Sequence, residues 1–171
     1  MELKLFGITG WKNSGKTTLT EKLVRELVRR GYRIATIKHA HHDFDIDHKG
    51  TDSWRHRAAG ASEVAIVSSA RYAIMHENRG EQEPSLHEIA AKLSPCDLVI
   101  VEGYKNESHP KIEARRLSAQ PGPALHEDDP HIVAIASDHL IDHPTLPTFS
   151  IDDVANIADF VEHYTGLQES R

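Results

Sequence analysis

The segment from Gly10 to Thr17 is the part of the sequence whose residue types and spacing point most clearly to chemistry. It matches the phosphate-loop pattern G-x-x-x-x-G-K-[ST] at every fixed position. In this pattern the glycines let backbone N–H groups face a phosphate, the lysine bridges the β- and γ-phosphates, and the hydroxyl ligates Mg²⁺. We therefore predict a nucleotide site with Lys16 as a catalytic residue and Thr17 as a metal ligand. The predicted phosphate-binding residues are Gly10, Trp11, Lys12, Asn13, Ser14, Gly15, Lys16 and Thr17. Lys12 is either a modest phosphate contact or a solvated loop lysine.

Such a site also needs a carboxylate near the metal ion, and two acidic residues flank the apolar run 98–101. In a parallel sheet, ligands bind at the carboxyl ends of the strands. Glu102 lies at that end, whereas Asp97 lies about 16 Å back along an extended strand. We therefore predict Glu102 as the metal-side carboxylate and Asp97 as a residue that orients the start of the strand.

Recognition of the base has a weaker signal. The guanine-binding pattern Asn-Lys-x-Asp is absent, but Asp138 directly follows the apolar run 131–136. Its carboxylate could accept hydrogen bonds from guanine, and a turn-forming aspartate is the competing interpretation. Asp138 is retained as a candidate base contact.

A histidine-rich stretch, 38–48, follows the second predicted strand and should lie beside the phosphate loop. Asp45 and Asp47 are candidate catalytic residues that would position the attacking water, and Lys38 and His39 are candidate phosphate or ligand contacts. The same stretch offers His41, His42 and His48 as transition-metal ligands. A nucleotide-facing loop, a metal site, a pH-sensitive surface and a solvated loop all remain open, because no metal-ligand spacing is present.

Composition narrows the class of protein. The chain has 171 residues, 13 of them histidine, and 20 basic against 26 acidic residues give a net charge of −6. This balance argues against a nucleic-acid binder. The single Cys96 excludes a disulfide framework and a four-cysteine zinc site. No apolar stretch approaches 18 residues and residues 1–8 show no signal-peptide features, so we expect a soluble, cytoplasmic protein with no membrane partner.

Elements that could position these residues alternate along the chain. Short apolar runs at 3–9, 33–38, 97–101 and 131–136 predict strands, and amphipathic patterns predict helices at 17–30, 52–59, after Ser85, and near the end of the chain. On the 52–59 helix, Arg55 and Arg57 would meet either an anionic ligand or solvent.

The alternation of strands and helices predicts a three-layer α/β domain with a mainly parallel sheet. Two β-rich runs within 63–76 predict an antiparallel hairpin that adds an edge to this sheet. Residues 112–114 predict a short edge strand. We expect one domain over 1–171, with 63–76 and 105–130 as β or loop excursions.

Four segments together resemble the MobB family of molybdopterin-guanine dinucleotide biosynthesis adaptors. They are residues 10–18, 38–47, 51–61 and 97–105, and the resemblance extends over essentially the whole chain. The phosphate loop is widespread among proteins. The combination Lys-His-x-His-His-x-Phe-Asp-x-Asp followed by Asp-Ser-x-Arg-His-Arg-x-Ala-Gly-Ala is far more specific.

This resemblance implies a homodimeric GTP-binding protein that hydrolyses GTP slowly with Mg²⁺ and acts alongside the MobA guanylyltransferase, without being that enzyme. It adds Thr18 to the phosphate-binding residues and makes molybdopterin, or its guanine dinucleotide, a further candidate ligand. Guanine preference depends on the resemblance alone. Two alternatives are a nickel-insertion metallochaperone GTPase, favoured by the histidine content, and a small-molecule kinase with Arg115 and Arg116 in its lid.

Overall fold

A computed structural model describes residues 3–40 and 44–167. Its strands are β1 (Leu5–Thr9), β2 (Ile34–Lys38), β3 (Glu63–Val67), β4 (Tyr72–His76), β5 (Leu98–Glu102), β6 (Lys111–Arg115), β7 (Ile132–Ser137) and β8 (Thr148–Ser150). Its helices are α1 (Lys16–Arg29), α2 (Asp52–Ala58), α3 (Leu86–Ala91) and α4 (Val154–Thr165), with a 3₁₀ turn at Leu125–Glu127. None of the helices in these ranges has the length and apolar character needed to cross a membrane.

The chain divides into two compact units. The first contains the residues up to His39 and those from Leu86 onward, and the second spans Ala40–Ser85. The first unit is built on a six-stranded sheet of order β2-β5-β1-β6-β7-β8, in which every pairing is parallel. The prediction of an α/β fold with a mainly parallel sheet and an antiparallel β-hairpin extension is confirmed.

Helices cover both faces of the sheet because its strands are apolar on both sides. Every residue of β5 is buried, as expected for a central parallel strand. On one face α1 and α4 pack against a core that includes Phe6, Ile8 and Ile100. On the other face Leu86 and Ala90 of α3 join Val99 and Val101 in a smaller core.

Two details of the predicted sheet are wrong. Residues 112–114 belong to β6, which lies between β1 and β7 rather than at an edge and interrupts the predicted 105–130 excursion. The charged residues Lys111 and Glu113 of this inner strand are buried and paired with Asp129 and His126 respectively. The 63–76 hairpin, in turn, adds no edge to the parallel sheet. It forms a two-stranded sheet of its own within the second unit, where β3 pairs with β4.

Candidate functional site

The phosphate loop connects the end of β1 to the first turn of α1. Its backbone has positive φ at Gly10, Asn13 and Gly15, with values of 151°, 65° and 87°. At Gly10 a side chain is also excluded by space, because a Cβ would lie 2.6 Å from the carbonyl oxygen of Ala114. The loop therefore depends on its glycines for conformation as well as for close packing.

The helix end that the loop presents is suited to an anion. No side chain caps the N-terminus of α1, so its first N–H groups have no side-chain acceptor. Ser14 is buried, and its hydroxyl has no hydrogen-bond partner in the part of the chain that the structure describes. Uncapped N–H groups and an unsatisfied buried hydroxyl are the donors that a phosphate group would satisfy.

Thr17 and Glu102 come together although 85 residues separate them in sequence. The Thr17 hydroxyl donates to Glu102 Oε1 over 2.7 Å, and Lys38 Nζ lies 3.4 Å from the same carboxylate oxygen. Glu102 is 6% exposed and ends β5, next to the end of β1. A hydroxyl and a carboxylate at this distance are the oxygen ligands that Mg²⁺ prefers, so the residues present fit a phosphate-bound magnesium ion.

Lys16 lies within this loop and has a perturbed ammonium group. Its Nζ donates to the carbonyl oxygen of Trp11 over 3.2 Å. Burial lowers the pKa of Lys16; Glu102 opposes this shift, and the neighbouring cations Lys105 and Lys38 add to it. A bound phosphate would oppose the same shift, because an adjacent anion favours the charged form of a lysine.

The indole of Trp11 links the phosphate loop to two other loops. Its Nε1 donates to the carbonyl oxygen of Pro123 over 2.8 Å, and a Cβ on Gly122 would lie 2.4 Å from its ring. The ammonium of Lys105 lies over the ring, 4.1 Å from the centroid. Lys12, whose side chain is exposed, accepts a backbone hydrogen bond from Gln120. The segment 120–123 therefore packs against and hydrogen-bonds to the start of the phosphate loop.

Two predicted contacts follow β2. Lys38 is the last residue of β2, and the backbone N–H of His39 donates to the carbonyl oxygen of Glu102 over 2.9 Å. The His39 ring packs on Tyr104 with centroids 4.6 Å apart. The structure therefore brings Lys38 and His39 beside Glu102, as the order of the strands leads one to expect.

Asp138 lies at the carboxyl end of β7. Its Oδ1 accepts from the backbone N–H of Leu117 over 3.1 Å and lies 2.9 Å from His139 Nδ1. The hydrogen bond from His139 lowers the pKa of the Asp138 carboxyl. The carboxylate of Asp138 is therefore ionised and fixed by hydrogen bonds at the same edge of the sheet as the phosphate loop.

Asp45 and Asp47 belong to the second unit, where both carboxylates pair with one arginine. Arg57 Nη2 lies 2.9 Å from Asp45 and 2.5 Å from Asp47, and its Nη1 lies 2.7 Å from Glu77. The hydrogen bond from Arg57 lowers the pKa of Asp47. The sequence predicts that Arg57 meets either an anionic ligand or solvent. In the structure its guanidinium instead pairs with three carboxylates. The catalytic roles of Asp45 and Asp47 stay a prediction.

The transition-metal interpretation has no support among residues 3–40 and 44–167, where no group of three or more His, Cys, Asp or Glu side chains is placed to hold a metal ion. His41 and His42 lie outside the described residues. Only His48 of that predicted set is described, and its side chain is exposed.

Arg116 and Lys105 are residues near the loop whose positions the sequence did not reveal. A Cβ on Gly15 would lie 2.5 Å from Arg116 Nε, a buried atom for which the described residues supply no acceptor. Lys105 reaches the loop through the Trp11 ring, a contact between residues 94 positions apart. The one sequence signal for Lys105 is its position three residues after Glu102, just beyond the carboxyl end of a buried strand.

The fold and this site together define an α/β protein of the P-loop NTPase kind. The family model described as "Molybdopterin guanine dinucleotide synthesis protein B" matches residues 5–138, and the chain belongs to this MobB family. The molybdopterin-guanine dinucleotide biosynthesis adapter protein of Haemophilus influenzae is 40% identical over 167 residues, which cover 95% of this chain and 90% of the relative. The adapter protein of the same name from Escherichia coli is 39% identical, with 97% and 95% covered. A crystal structure of molybdopterin-guanine biosynthesis protein B superposes with a TM-score of 0.73 at 28% identity, covering 95% of this chain and 99% of that one.

Proposed function

We propose that this protein is an adaptor in molybdopterin guanine dinucleotide biosynthesis that binds GTP with Mg²⁺ at the phosphate loop and hydrolyses it slowly. The observation that carries the nucleotide site is the hydrogen bond between Thr17 and Glu102 beside an uncapped helix N-terminus. The names of the relatives support the pathway.

In this proposal the chain's residues have separate roles. The backbone of residues 10–18 and the N-terminus of α1 bind the phosphates, and Lys16 moves from the Trp11 carbonyl to the β- and γ-phosphate oxygens. Thr17 and Glu102 would hold the metal ion. When bound, Mg²⁺ would neutralise charge that develops on the phosphate oxygens.

Asp45 and Asp47 are the proposed residues for positioning the attacking water. The side chain of Asp45 is 64% exposed, whereas that of Asp47 is 3% exposed, and both are paired with Arg57. A carboxylate that orients water must be accessible to it, and of the two Asp45 is the more exposed.

Preference for guanine is assigned to Asp138. Its Oδ1 is occupied by the hydrogen bonds from Leu117 and His139, while the described residues offer no donor to Oδ2. That oxygen is free to accept from the N1–H or N2–H of guanine, which adenine cannot offer in the same arrangement.

A homodimer and a MobA-like guanylyltransferase are the proposed partners, and molybdopterin or its guanine dinucleotide is a further proposed ligand. One face of the β3–β4 hairpin supports an interface between copies. Val67, Tyr72 and Ile74 share this face and are 75%, 67% and 62% exposed. Unpartnered apolar residues on paired strands favour burial against a second protein surface.

Reconstituted guanylyl transfer tests this proposal. A MobA guanylyltransferase is supplied with molybdopterin, GTP and Mg²⁺, and formation of the dinucleotide is followed with wild-type protein or Lys16→Ala. We expect the wild-type chain to increase product formation and to hydrolyse GTP slowly by itself, while Lys16→Ala does neither. Equal stimulation by both proteins would refute a nucleotide-dependent adaptor.

A further inference from the structure

The chain leaves the end of β5 in a tight reversal that brings Lys105 to the phosphate loop. Gly103 and Tyr104 both have positive φ, at 91° and 49°, and this left-handed pair turns the backbone away from the strand axis. At Gly103 a Cβ would lie 3.2 Å from the Cβ of His39, a tight contact that adds to the preference for glycine at this positive φ. Lys105 is the next residue after this pair.

A buried lysine fixes the turn that carries Lys105. Lys111 is fully buried, and its ammonium donates to the carbonyl oxygens of Lys105 and Glu107 over 3.2 Å and 2.5 Å. The same ammonium forms an ion pair with Asp129 at 2.7 Å. A buried ammonium needs such partners to offset its lost hydration, so these acceptors are held in place together with it. The hydrogen bond from the buried Lys111 ammonium therefore fixes the backbone at Lys105.

The side chains of Lys105 and Lys16 both contact Trp11. The Lys16 ammonium contacts the backbone carbonyl of Trp11, and the Lys105 ammonium lies over the Trp11 indole. No carboxylate among the described residues pairs with Lys105, and its charge is among those that lower the pKa of Lys16. The two ammonium groups that contact Trp11 repel each other, and an anion bound between them would offset this repulsion.

The order of the strands indicates which part of a nucleotide this anion is. The phosphate loop follows β1, Lys105 follows β5 on one side of β1, and Asp138 follows β7 on the other side. Three strand spacings, about 14 Å, separate β5 from β7. A nucleotide whose base reaches toward Asp138 extends its phosphate chain toward β5, so its terminal phosphate lies nearest to Lys105.

We propose that Lys105 is a phosphate-binding residue that contacts the terminal phosphate of the bound nucleoside triphosphate. This inference rests on the proposed nucleotide site and adds a residue that distinguishes GTP from GDP. Lys105 supplies a second positive charge beside Lys16, and both residues belong to the same chain. The contact with the Trp11 ring holds the ammonium near the loop before the nucleotide arrives.

Equilibrium binding of GTPγS and GDP, each with Mg²⁺, tests the proposal with Lys105→Met, Lys105→Arg and the control Lys92→Met, which removes an exposed lysine after α3. We expect Lys105→Met to weaken GTPγS binding about tenfold, the effect of losing one charge-assisted hydrogen bond, and to leave GDP binding within about twofold. Lys105→Arg should restore most of the loss, and Lys92→Met should bind both nucleotides as the wild type does.

Three outcomes would count against the proposal. Unchanged GTPγS binding by Lys105→Met would overturn it, and an equal loss for GTPγS and GDP would overturn it by showing that Lys105 only supports the loop. A wild-type chain that binds neither nucleotide would overturn the proposed function itself and this inference with it. Thermal unfolding of each variant, expected within about 2 °C of wild type for an exchange of this half-buried side chain, confirms that the comparison is between folded proteins.

Discussion

Replacement of His109 by leucine should remove a specific part of the acid sensitivity of this fold. His109 is 5% exposed, and neither of its ring nitrogens has a hydrogen-bond partner among the described residues. It packs directly on β1, where a Cβ on Gly7 would lie 2.4 Å from its Nε2. Burial lowers the pKa of His109 from 6.5 to about 4; Lys111 adds to this shift and Asp129 opposes it.

The size of the effect follows from these two pKa values. Between pH 6.5 and pH 4 the unfolded chain binds a proton at His109 and the folded chain does not, so stability falls as the pH falls through this range. From about pH 7.5 to about pH 5, the ratio of the two binding polynomials gives a loss of about 2 kcal/mol from this one residue. Leucine cannot be protonated, so the variant should not lose this part of its stability.

Urea denaturation at a series of pH values measures the effect. The free energy of unfolding of wild type should drop by about 2 kcal/mol more than that of His109→Leu between the two pH values. His163→Leu, which replaces an exposed histidine of α4, should keep the wild-type slope. Parallel pH profiles for wild type and His109→Leu would refute the assignment of a buried, neutral imidazole.

Three further changes test the site and its supports. Glu102→Gln should raise the Mg²⁺ concentration needed for half-maximal nucleotide binding about tenfold, because it removes the charge beside Thr17; an unchanged metal titration would reassign the carboxylate. Gly122→Ala should displace the Trp11 indole, lower the free energy of unfolding by about 1–3 kcal/mol and shift the tryptophan fluorescence, since its Cβ would lie 2.4 Å from the ring; an unaltered spectrum and stability would count against this packing. Arg57→Met should speed amide exchange in residues 44–77, because three carboxylates lose one shared cation; wild-type protection there would contradict a structural role for the cluster.

Features with local signals were predictable from the sequence. The phosphate loop, the strand before it and the helix after it depend on neighbouring residues, and the structure has all three. The choice of Glu102 over Asp97 needed one more fact, the direction of parallel strands. That rule places Glu102 beside Thr17, while Asp97 accepts a hydrogen bond from the backbone N–H of Arg33 at the start of β2.

Features set by distant partners were not predictable in the same way. The place of β6 inside the sheet depends on buried charges whose partners lie elsewhere in the chain: Glu113 receives hydrogen bonds from Leu125 and His126, and Lys111 pairs with Asp129. A charged strand favours an edge when its partners are unknown. The approach of Lys105 to Trp11 likewise appears only after the chain reverses at Gly103.

Isothermal titration calorimetry with GTP and Mg²⁺ tests the central claim, a nucleotide site at the phosphate loop, most directly. We predict one GTP bound per chain, weaker binding of ATP, dependence on Mg²⁺, and loss of binding in Lys16→Ala because the charge facing the β- and γ-phosphates is gone. Absence of heat with the wild-type chain, or unchanged GTP affinity in Lys16→Ala, would contradict the claim.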